Sequence, residues 1–261
     1  MTRRLTTEIA GLDLDSLPAK VRLFPAPAHP CPYLPGKSAQ LLVVDPSTPL
    51  DTGLYQRFLD QGFRRSGDYV YRPVCPNCNA CVSLWLPVHQ FTPNRNQRRC
   101  WVRGQREVRL VYRLPRRDSL HDTLYRRYQA SRHGGGSVTG EGNGTPCLAL
   151  AGSWCDTQFW ELRLSEGLMA VAVVDALPKG FSAVYTFFDP ELSDYSPGKL
   201  AVLWQIMEAR KLGLPYVYLG YWVRNCRKMS YKTQYRPLEA WDGKTWHHFG
   251  HGEELITGLG R

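Results

Sequence analysis

Cys75, Cys78 and Cys81 stand three residues apart in "VCPNCNACVSLWLP" (74–87), just ahead of a strand-like run. C-x-x-C-x-x-C gathers thiolate donors in one turn, as zinc sites and iron–sulfur clusters require. A tetrahedral site needs a fourth ligand. Cys31, set between prolines, is the natural donor, with His29 and His89 in reserve. A disulfide, or reduced thiols that hold nothing, are the other readings of the same spacing. Eight cysteines in 261 residues are too sparse for a disulfide scaffold, and clustered cysteines in a cytosolic chain favour metal or redox chemistry. Cys100, Cys147, Cys155 and Cys226 are scattered and read as small, partly buried hydrophobes. The simplest role for the cluster is to staple a small N-terminal domain.

The second chemical signal is charge. The net charge is +10, and residues 95–132 alone carry twelve arginines, no lysine and three acids. A second run, "RNCRKMSYKTQYR" (224–236), carries five positive charges and no acid. Trp101, Tyr112, Tyr125, Tyr128, Tyr231 and Tyr235 are interleaved with these runs. Basic runs of this kind with aromatic neighbours suit a polyanion, and the choice of arginine suits phosphate forks. No window approaches the roughly 18 apolar residues a membrane span needs. The N-terminus has no apolar signal core, which points to the cytoplasm.

These residues must be positioned by a mixed set of elements. "FPAPAHPCPYLPGKSAQ" (24–40) has five prolines and reads as an extended segment turning at Pro35-Gly36. "QLLVVD" (40–45) reads as a strand and "PLDTGLYQRFLDQGF" as a helix ending at Gly62. "YVYRPV" leads into the cysteine cluster and "CVSLWLPV" leaves it as a strand. "DSLHDTLYRRYQASRHGGG" reads as a helix with Ser119 at its N-cap, stopped by the glycine triplet. Residues 167–190 read as a hairpin through Pro178-Lys179-Gly180. "SPGKLAVLWQIMEARKLGL" is the strongest helix, with Ser196 at the N-cap and Pro197 at the first helical position. "PYVYLGYWV" follows as a buried strand. Strand, strand, helix, strand predicts an α+β layer whose helix crosses to a parallel neighbour.

That order resembles the acyltransferase core of the acetyltransferase-like superfamily. "DYSPGKL" lacks the glycine-rich pyrophosphate loop, so no coenzyme A is expected. The expected division is a Cys-cluster domain over residues 1–105 (1–20 loosely ordered), an acetyltransferase-like domain over 106–250, and a tail over 251–261. More specifically, "HPCPYLPG", "YRPVCPNCNACVSL", "YRRYQASRHGGG", "SAVYTFFDP" and "PYVYLGYWVRNCRKMSYKTQYRPLE" resemble, in that order, the bacterial aspartate/glutamate leucyltransferases. These are relatives of the arginyl-tRNA–protein transferases. The resemblance spans about residues 20–245. It implies transfer of leucine from leucyl-tRNA to proteins beginning with Asp or Glu, marking them for degradation. The eukaryotic relatives carry an N-terminal cysteine cluster to which an iron–sulfur cluster is attributed, so iron stays beside zinc as an expectation for Cys31, Cys75, Cys78 and Cys81. Ser230, Leu162 and the extra charge of "RNCRK" depart from the common pattern and bear on fine specificity. Transfer of arginine, a non-catalytic Cys-cluster RNA-binding module and an ordinary coenzyme-A acetyltransferase are the rival readings; the missing phosphate loop disfavours the last.

An aminoacyl ester is already activated, and an α-amine with a pKa near 7.7–8.0 is roughly one-tenth free at pH 7. The reaction asks for positioning and oxyanion stabilisation rather than a nucleophile triad. Asp189 is expected to orient or deprotonate the amine, with Tyr185 and Tyr221 as donors near the ester. Lys228, Tyr231, Lys232, Tyr235 and Arg236 are expected at the terminal CCA or the substrate carboxylate, with Arg132 and His133 able to serve either. The acceptor's carboxylate needs a cation, sought among Arg132, Arg224, Lys228, Lys232 and, first, Arg236. Arg95, Arg98, Arg99 and Arg103 are expected on the tRNA backbone.

Overall fold

The computed structural model describes residues 21–133 and 146–255. Residues 1–20, the glycine triplet 134–136 and the end of the tail, all of which carried expectations, lie outside the described residues. The elements, in chain order, are β1 (Leu23–Pro25), β2 (His29–Pro30), β3 (Ser38–Ala39), β4 (Leu41–Val44), α1 (Thr52–Asp60), β5 (Arg64–Ser66), β6 (Tyr69–Pro73) and β7 (Cys81–Pro87). Then follow α2 (Arg95–Glu107), β8 (Arg109–Arg113), α3 (Ser119–His133), β9 (Thr157–Leu164), β10 (Gly167–Leu177) and β11 (Gly180–Phe188). α4 (Pro197–Lys211), β12 (Tyr216–Val223), β13 (Leu238–Trp241) and β14 (Trp246–Phe249) complete the chain.

An eight-stranded sheet runs β14-β13-β7-β12-β11-β10-β9-β8, beside a four-stranded sheet β1-β4-β6-β5 and the short ribbon β2-β3. The protein is therefore mixed α/β. Alternation along the large sheet sets its two faces. Ala170, Ala172, Val174, Val217 and Leu219 join Leu200, Leu203 and Ile206 of α4 in one core. On the other face, Phe159, Val171, Val173 and Phe187 pack against Leu124 and Tyr125 of α3. Also on that face, Trp85, Leu177 and Tyr218 pack against Tyr55, Phe58 and Leu59 of α1 and Val70 of the small sheet. That face thus carries two bodies side by side, α3 and the N-terminal layer.

The hairpin at 177–180 and the helix at 197 form as the sequence implies, and β11 pairs with β12 in parallel. Gly180 is required there, because a Cβ would stand 1.9 Å from the Tyr216 carbonyl oxygen. Capping differs from expectation at two helices. Asp118, one residue earlier than Ser119, caps α3 through Oδ1, which accepts the Leu120 N–H at 2.9 Å. Ser196 does precede α4, but it sits at φ 49° and makes no side-chain cap bond.

The boundary expected at residue 105 does not separate the sheets. β7 lies between β13 and β12 inside the large sheet, and α2 packs on α4, with the Gly104 Cα facing Leu200. α2 itself was read only as a charge run. Its start is a capping box, in which Asn94 accepts from the Gln97 amide and Gln97 from the Asn94 amide, both at 2.9 Å.

Candidate active site

β11 and β12 pair only over Gly180–Ser182 and Tyr216–Tyr218, although β11 runs on to Phe188 and β12 to Val223. Past Tyr218 the register of β12 shifts at Gly220 (φ +79°) and its pairing continues with β7 alone. The sheet therefore splits, and the split lies between α3 and the N-terminal layer. Concave ground between two packed bodies, at the carboxyl ends of parallel strands, is where an α/β sheet admits a substrate.

The β11 wall carries Tyr185. Its hydroxyl oxygen accepts from Gln129 Nε2 at 3.3 Å, and the rings of Tyr125 and Tyr128 stand 6.2 and 6.3 Å away. Burial, with those tyrosines adding to it, pushes the phenol well above its ordinary value. It stays protonated, and with Gln129 donating to its oxygen the O–H is directed elsewhere. Asp189 ends the strand. Its Oδ1 accepts from Arg127 Nη2 at 3.0 Å and from the Glu191 amide at 3.1 Å. A carboxylate held this way fixes the position of Arg127.

The β12 wall differs from expectation. Tyr221 is buried, and its hydroxyl donates to the Gly62 carbonyl at 2.8 Å, so it braces the N-terminal layer instead of facing an ester. Tyr235 is 2% exposed and packs near Phe91. Arg236, the first choice for the acceptor's carboxylate, gives Nε to the Thr233 carbonyl at 2.9 Å and Nη1 toward Phe249 and Gly250. Two of its three nitrogens are thus turned to backbone carbonyls. Lys228 is exposed, as is Tyr231, which lies close to Tyr128 across the split. Arg132 is exposed with its guanidinium 5.6 Å from the Phe188 ring centre. His133 closes α3, and its side chain lies outside the described residues.

Lys232 is the member of the second basic run that goes inside. It is 8% exposed, and Nζ donates to the Tyr221 carbonyl at 2.7 Å. Burial, then the charge of Arg64, draws its pKa down to about 7. Arg64, Arg65 and Arg72 of "GFRRSGDYVYRP" are also buried, and the sequence reading missed all three. Three arginines inside a short strand pair are a usable signal, because arginine is almost never fully buried without a partner. Arg224 follows β12 beside the cysteines, its amide bonded to the Ala80 carbonyl at 2.9 Å.

The four expected cysteines are neighbours, and a fifth joins them. Cys81 is pushed up to about 12, first by burial and then by Cys75, Cys31, Cys78 and Cys226. Cys226 arrives because β12 pairs with β7, Val223 opposite Cys81. Cys31 Sγ accepts the Leu34 N–H and Cys75 Sγ the Gln40 N–H, each at 3.4 Å. Soft donors with N–H···S support fit zinc or an iron–sulfur cluster in chemistry. Among the described residues the donor atoms drawn within 4.8 Å of one another belong to Asp118, His121 and Glu161. There Glu161 is already matched by Arg163 at 2.8 Å and Arg113 at 3.6 Å, which marks an ion-pair network.

The twelve arginines do not form one patch. α2 lies on the α4 face, β8 forms the sheet edge and α3 lies on the opposite face, so the run wraps that edge. Arg95, Arg98 and Arg99 are exposed, and Arg98, Arg99, Val102 and Arg106 line a shallow groove with Arg103. Arg103 is less free than expected, bonded to Glu107 at 3.1 Å and stacked 3.7 Å from the Tyr195 ring centre.

A mixed sheet that splits past its parallel pair, with a hydrogen-bonded phenol on one wall and a basic edge, suits a transferase acting on a polyanion-borne group, and two family models specify that class. "Arginine-tRNA-protein transferase, N terminus" matches residues 29–99, and the corresponding C-terminal model matches residues 121–242. An aspartate/glutamate leucyltransferase of Pseudomonas aeruginosa is 45% identical over 87% of this chain and 97% of its own length. That of Stenotrophomonas maltophilia is 47% identical over 88% and 94%. Among solved structures, L-PGS from Bacillus licheniformis matches with a TM-score of 0.43 and 12% identity, covering 64% of this chain and 49% of that one. The chain belongs to the aspartate/glutamate leucyltransferase family, within the arginine-tRNA-protein transferases.

Proposed function

We propose that the chain moves leucine from leucyl-tRNA to the α-amine of proteins beginning with Asp or Glu, working in the split between β11 and β12. Family membership supports leucine over arginine, and it argues against a module that only binds RNA. In the reaction the amine nitrogen attacks the ester carbonyl carbon. The bond to the terminal ribose oxygen breaks, and that oxygen leaves with a proton. Tyr185 is the donor proposed for the developing oxyanion, since a neutral, half-buried phenol already held in place needs little reorganisation. Asp189 is proposed to hold Arg127 at the mouth of the split and so to position the substrates.

The observation that carries this reading is the split itself, flanked by Tyr185 and by the buried cations of β5 and the 227–234 turn. The layer around it is proposed to be acetyltransferase-like, with the N-terminal segment as its Cys-bearing partner and no coenzyme A. Arg95, Arg98 and Arg99 are proposed to meet the tRNA backbone, where phosphate contacts position without reading sequence. Cys31, Cys75, Cys78 and Cys81 are proposed to hold zinc or an iron–sulfur cluster. When bound, it would tie "HPCPYLPG" to β7.

The test offers tRNAs charged with labelled leucine or arginine, with an Asp-initiated peptide. Leucine transfer that falls about 10²–10³-fold in Tyr185→Phe, with leucyl-tRNA binding intact, is the expected result. Transfer of arginine in preference to leucine, or of neither, overturns the reading.

A further inference from the structure

Arg64 Nη2 donates to the Leu84 carbonyl at 3.0 Å, while its Nε and Nη1 are buried with no hydrogen-bond partner among the described residues. Lys232 Nζ spends one of its three protons on the Tyr221 carbonyl. Both cations converge on Gly220: a Cβ there would lie 3.2 Å from Lys232 Nζ and 4.0 Å from Arg64 Nε. Among the described residues, no carboxylate is one of the main groups acting on either residue. Tyrosines 55, 71, 218 and 221 surround Arg64, and Arg64 is the charge acting on Lys232. Two cations buried together repel and lose hydration, at a cost a fold does not retain without a compensating partner.

We propose that Arg64 and Lys232 seat the side-chain carboxylate of the acceptor's N-terminal Asp or Glu. The pair flanks the point where β12 leaves β11, so an acid seated on it leaves the adjacent α-amine in the split. A guanidinium presents paired N–H groups that a carboxylate can accept from together, and the ammonium can close on the second oxygen. Gly220 supports the assignment independently. Its positive φ and lack of a side chain let Lys232 Nζ and Arg64 Nε approach the backbone where a Cβ would crowd the ammonium. The arriving carboxylate would also restore full charge to Lys232, which burial and Arg64 now oppose. This inference rests on the transferase reading and moves the acid-binding role from Arg236, whose Nε and Nη1 already donate to backbone carbonyls, to an arginine of the N-terminal layer.

Leucyl transfer is measured with Asp-, Glu-, Asn- and Gln-initiated peptides for the wild type, Arg64→Met, Arg64→Lys and Lys232→Met, with leucyl-tRNA affinity measured alongside. Direct binding of the same peptides is measured by calorimetry. The wild type should prefer acid over amide strongly, because the amide leaves the cations unpaired. Each Met substitution should cut that kcat/KM ratio by about 10²-fold or more, mainly through KM for the acidic peptide, with leucyl-tRNA affinity unchanged. Arg64→Lys should restore part of it. An unchanged acid-to-amide ratio in both Met variants overturns the proposal. So does an equal loss for all peptides with weakened leucyl-tRNA binding, which would make the seat's anion a tRNA phosphate. A wild type that transfers no leucine to any peptide overturns the transferase reading, and acid-selective peptide binding still decides the seat. If Arg64→Met does not fold, Lys232→Met alone decides.

Discussion

Arg64 and Arg65 are chain neighbours on β5, both buried, and they are treated in opposite ways. Arg65 forks onto Asp175, with Nε 2.6 Å from Oδ2, and gives its remaining donors to Gly67, Leu150 and Thr157. Neither side chain of that ion pair is exposed at all. Burial alone would lower the Arg65 pKa, and Asp175 more than reverses it. For Arg64, burial lowers the pKa and no carboxylate answers. One arginine carries its countercharge within the fold and welds β5 to β10; the other has the Leu84 carbonyl and the Tyr218 ring beside it, and Nε and Nη1 have no hydrogen-bond partner among the described residues. A buried cation without a partner is therefore the stronger pointer to substrate, and a matched one to architecture.

The largest effect expected from breaking this contrast is at the matched pair. Asp175→Ala should strand Arg65 and cost about 3–5 kcal/mol of unfolding free energy. Replacing both partners by apolar residues should recover most of it, as urea denaturation of the single and double variants would show. A small cost for Asp175→Ala would mean Arg65 finds another anion, and the distinction between the two arginines would weaken.

At the unmatched site the sign should reverse. Arg64→Met removes a charge with no carboxylate beside it, one carbonyl bond and a contact with the Tyr218 ring that the Met side chain can partly replace, so stability should hold or rise by about 1–3 kcal/mol. A variant that keeps its fold while losing acid selectivity separates function from architecture. A loss comparable to that of Asp175→Ala would place Arg64 among the structural residues.

Lys232 offers a pH-resolved version of the same contrast. An unfolded lysine titrates near 10.4, while the folded Lys232 is drawn down to about 7 by burial and Arg64. Between those values the unfolded chain holds a proton that the folded chain has released, so this group makes stability rise with pH. Below pH 7 the full penalty of the buried charge is present. Lys232→Met should therefore exceed the wild type in stability most at or below pH 7. The gap should close by up to about 1.4 kcal/mol per pH unit as pH rises toward 10. Denaturation midpoints from pH 6 to 9 that run parallel for the two proteins would contradict the buried, uncompensated ammonium.

How much of this was legible in the chain follows from where the partners lie. The 177–180 hairpin and α4 could be read because their signals are local: a Pro-Lys-Gly turn, a proline at N1 and an apolar period. α2 was masked because five of its thirteen residues are arginine, which hides Cys100, Trp101 and Gly104 facing the α4 core. The cysteine spacing was visible within one turn, but Cys226 joins through a β12–β7 register that no spacing encodes. "GFRRSGDYV" gave no hint of which arginine is matched, since Asp175 lies 110 residues away. Nor could the sequence tell that Arg236 would turn to backbone carbonyls while Lys232 turned inward.

The exposed arginines of α2 supply the third arm of the comparison and the smallest effect on stability. Arg98 and Arg99 are on the solvent side of α2, across the sheet from Arg64, and among the described residues hold no ion-pair partner that their removal would strand. Replacing both by Ala should leave unfolding free energy within about 0.5 kcal/mol of the wild type, as surface changes away from special features do. If they touch tRNA phosphates, each lost contact releases fewer counterions, and the slope of log affinity against log salt should flatten by up to about 2 units. Arg103 is left in place, because its contacts with Glu107 and Tyr195 would add a structural loss to the measurement. The acid-to-amide ratio should not move, since phosphate contacts on the far face carry no information about the acceptor. Filter binding of leucyl-tRNA across a salt series, beside the peptide ratio, separates the two. A shallower slope with an unchanged ratio assigns charge on the surface to tRNA and charge in the interior to the acceptor; a changed ratio would join them into one site.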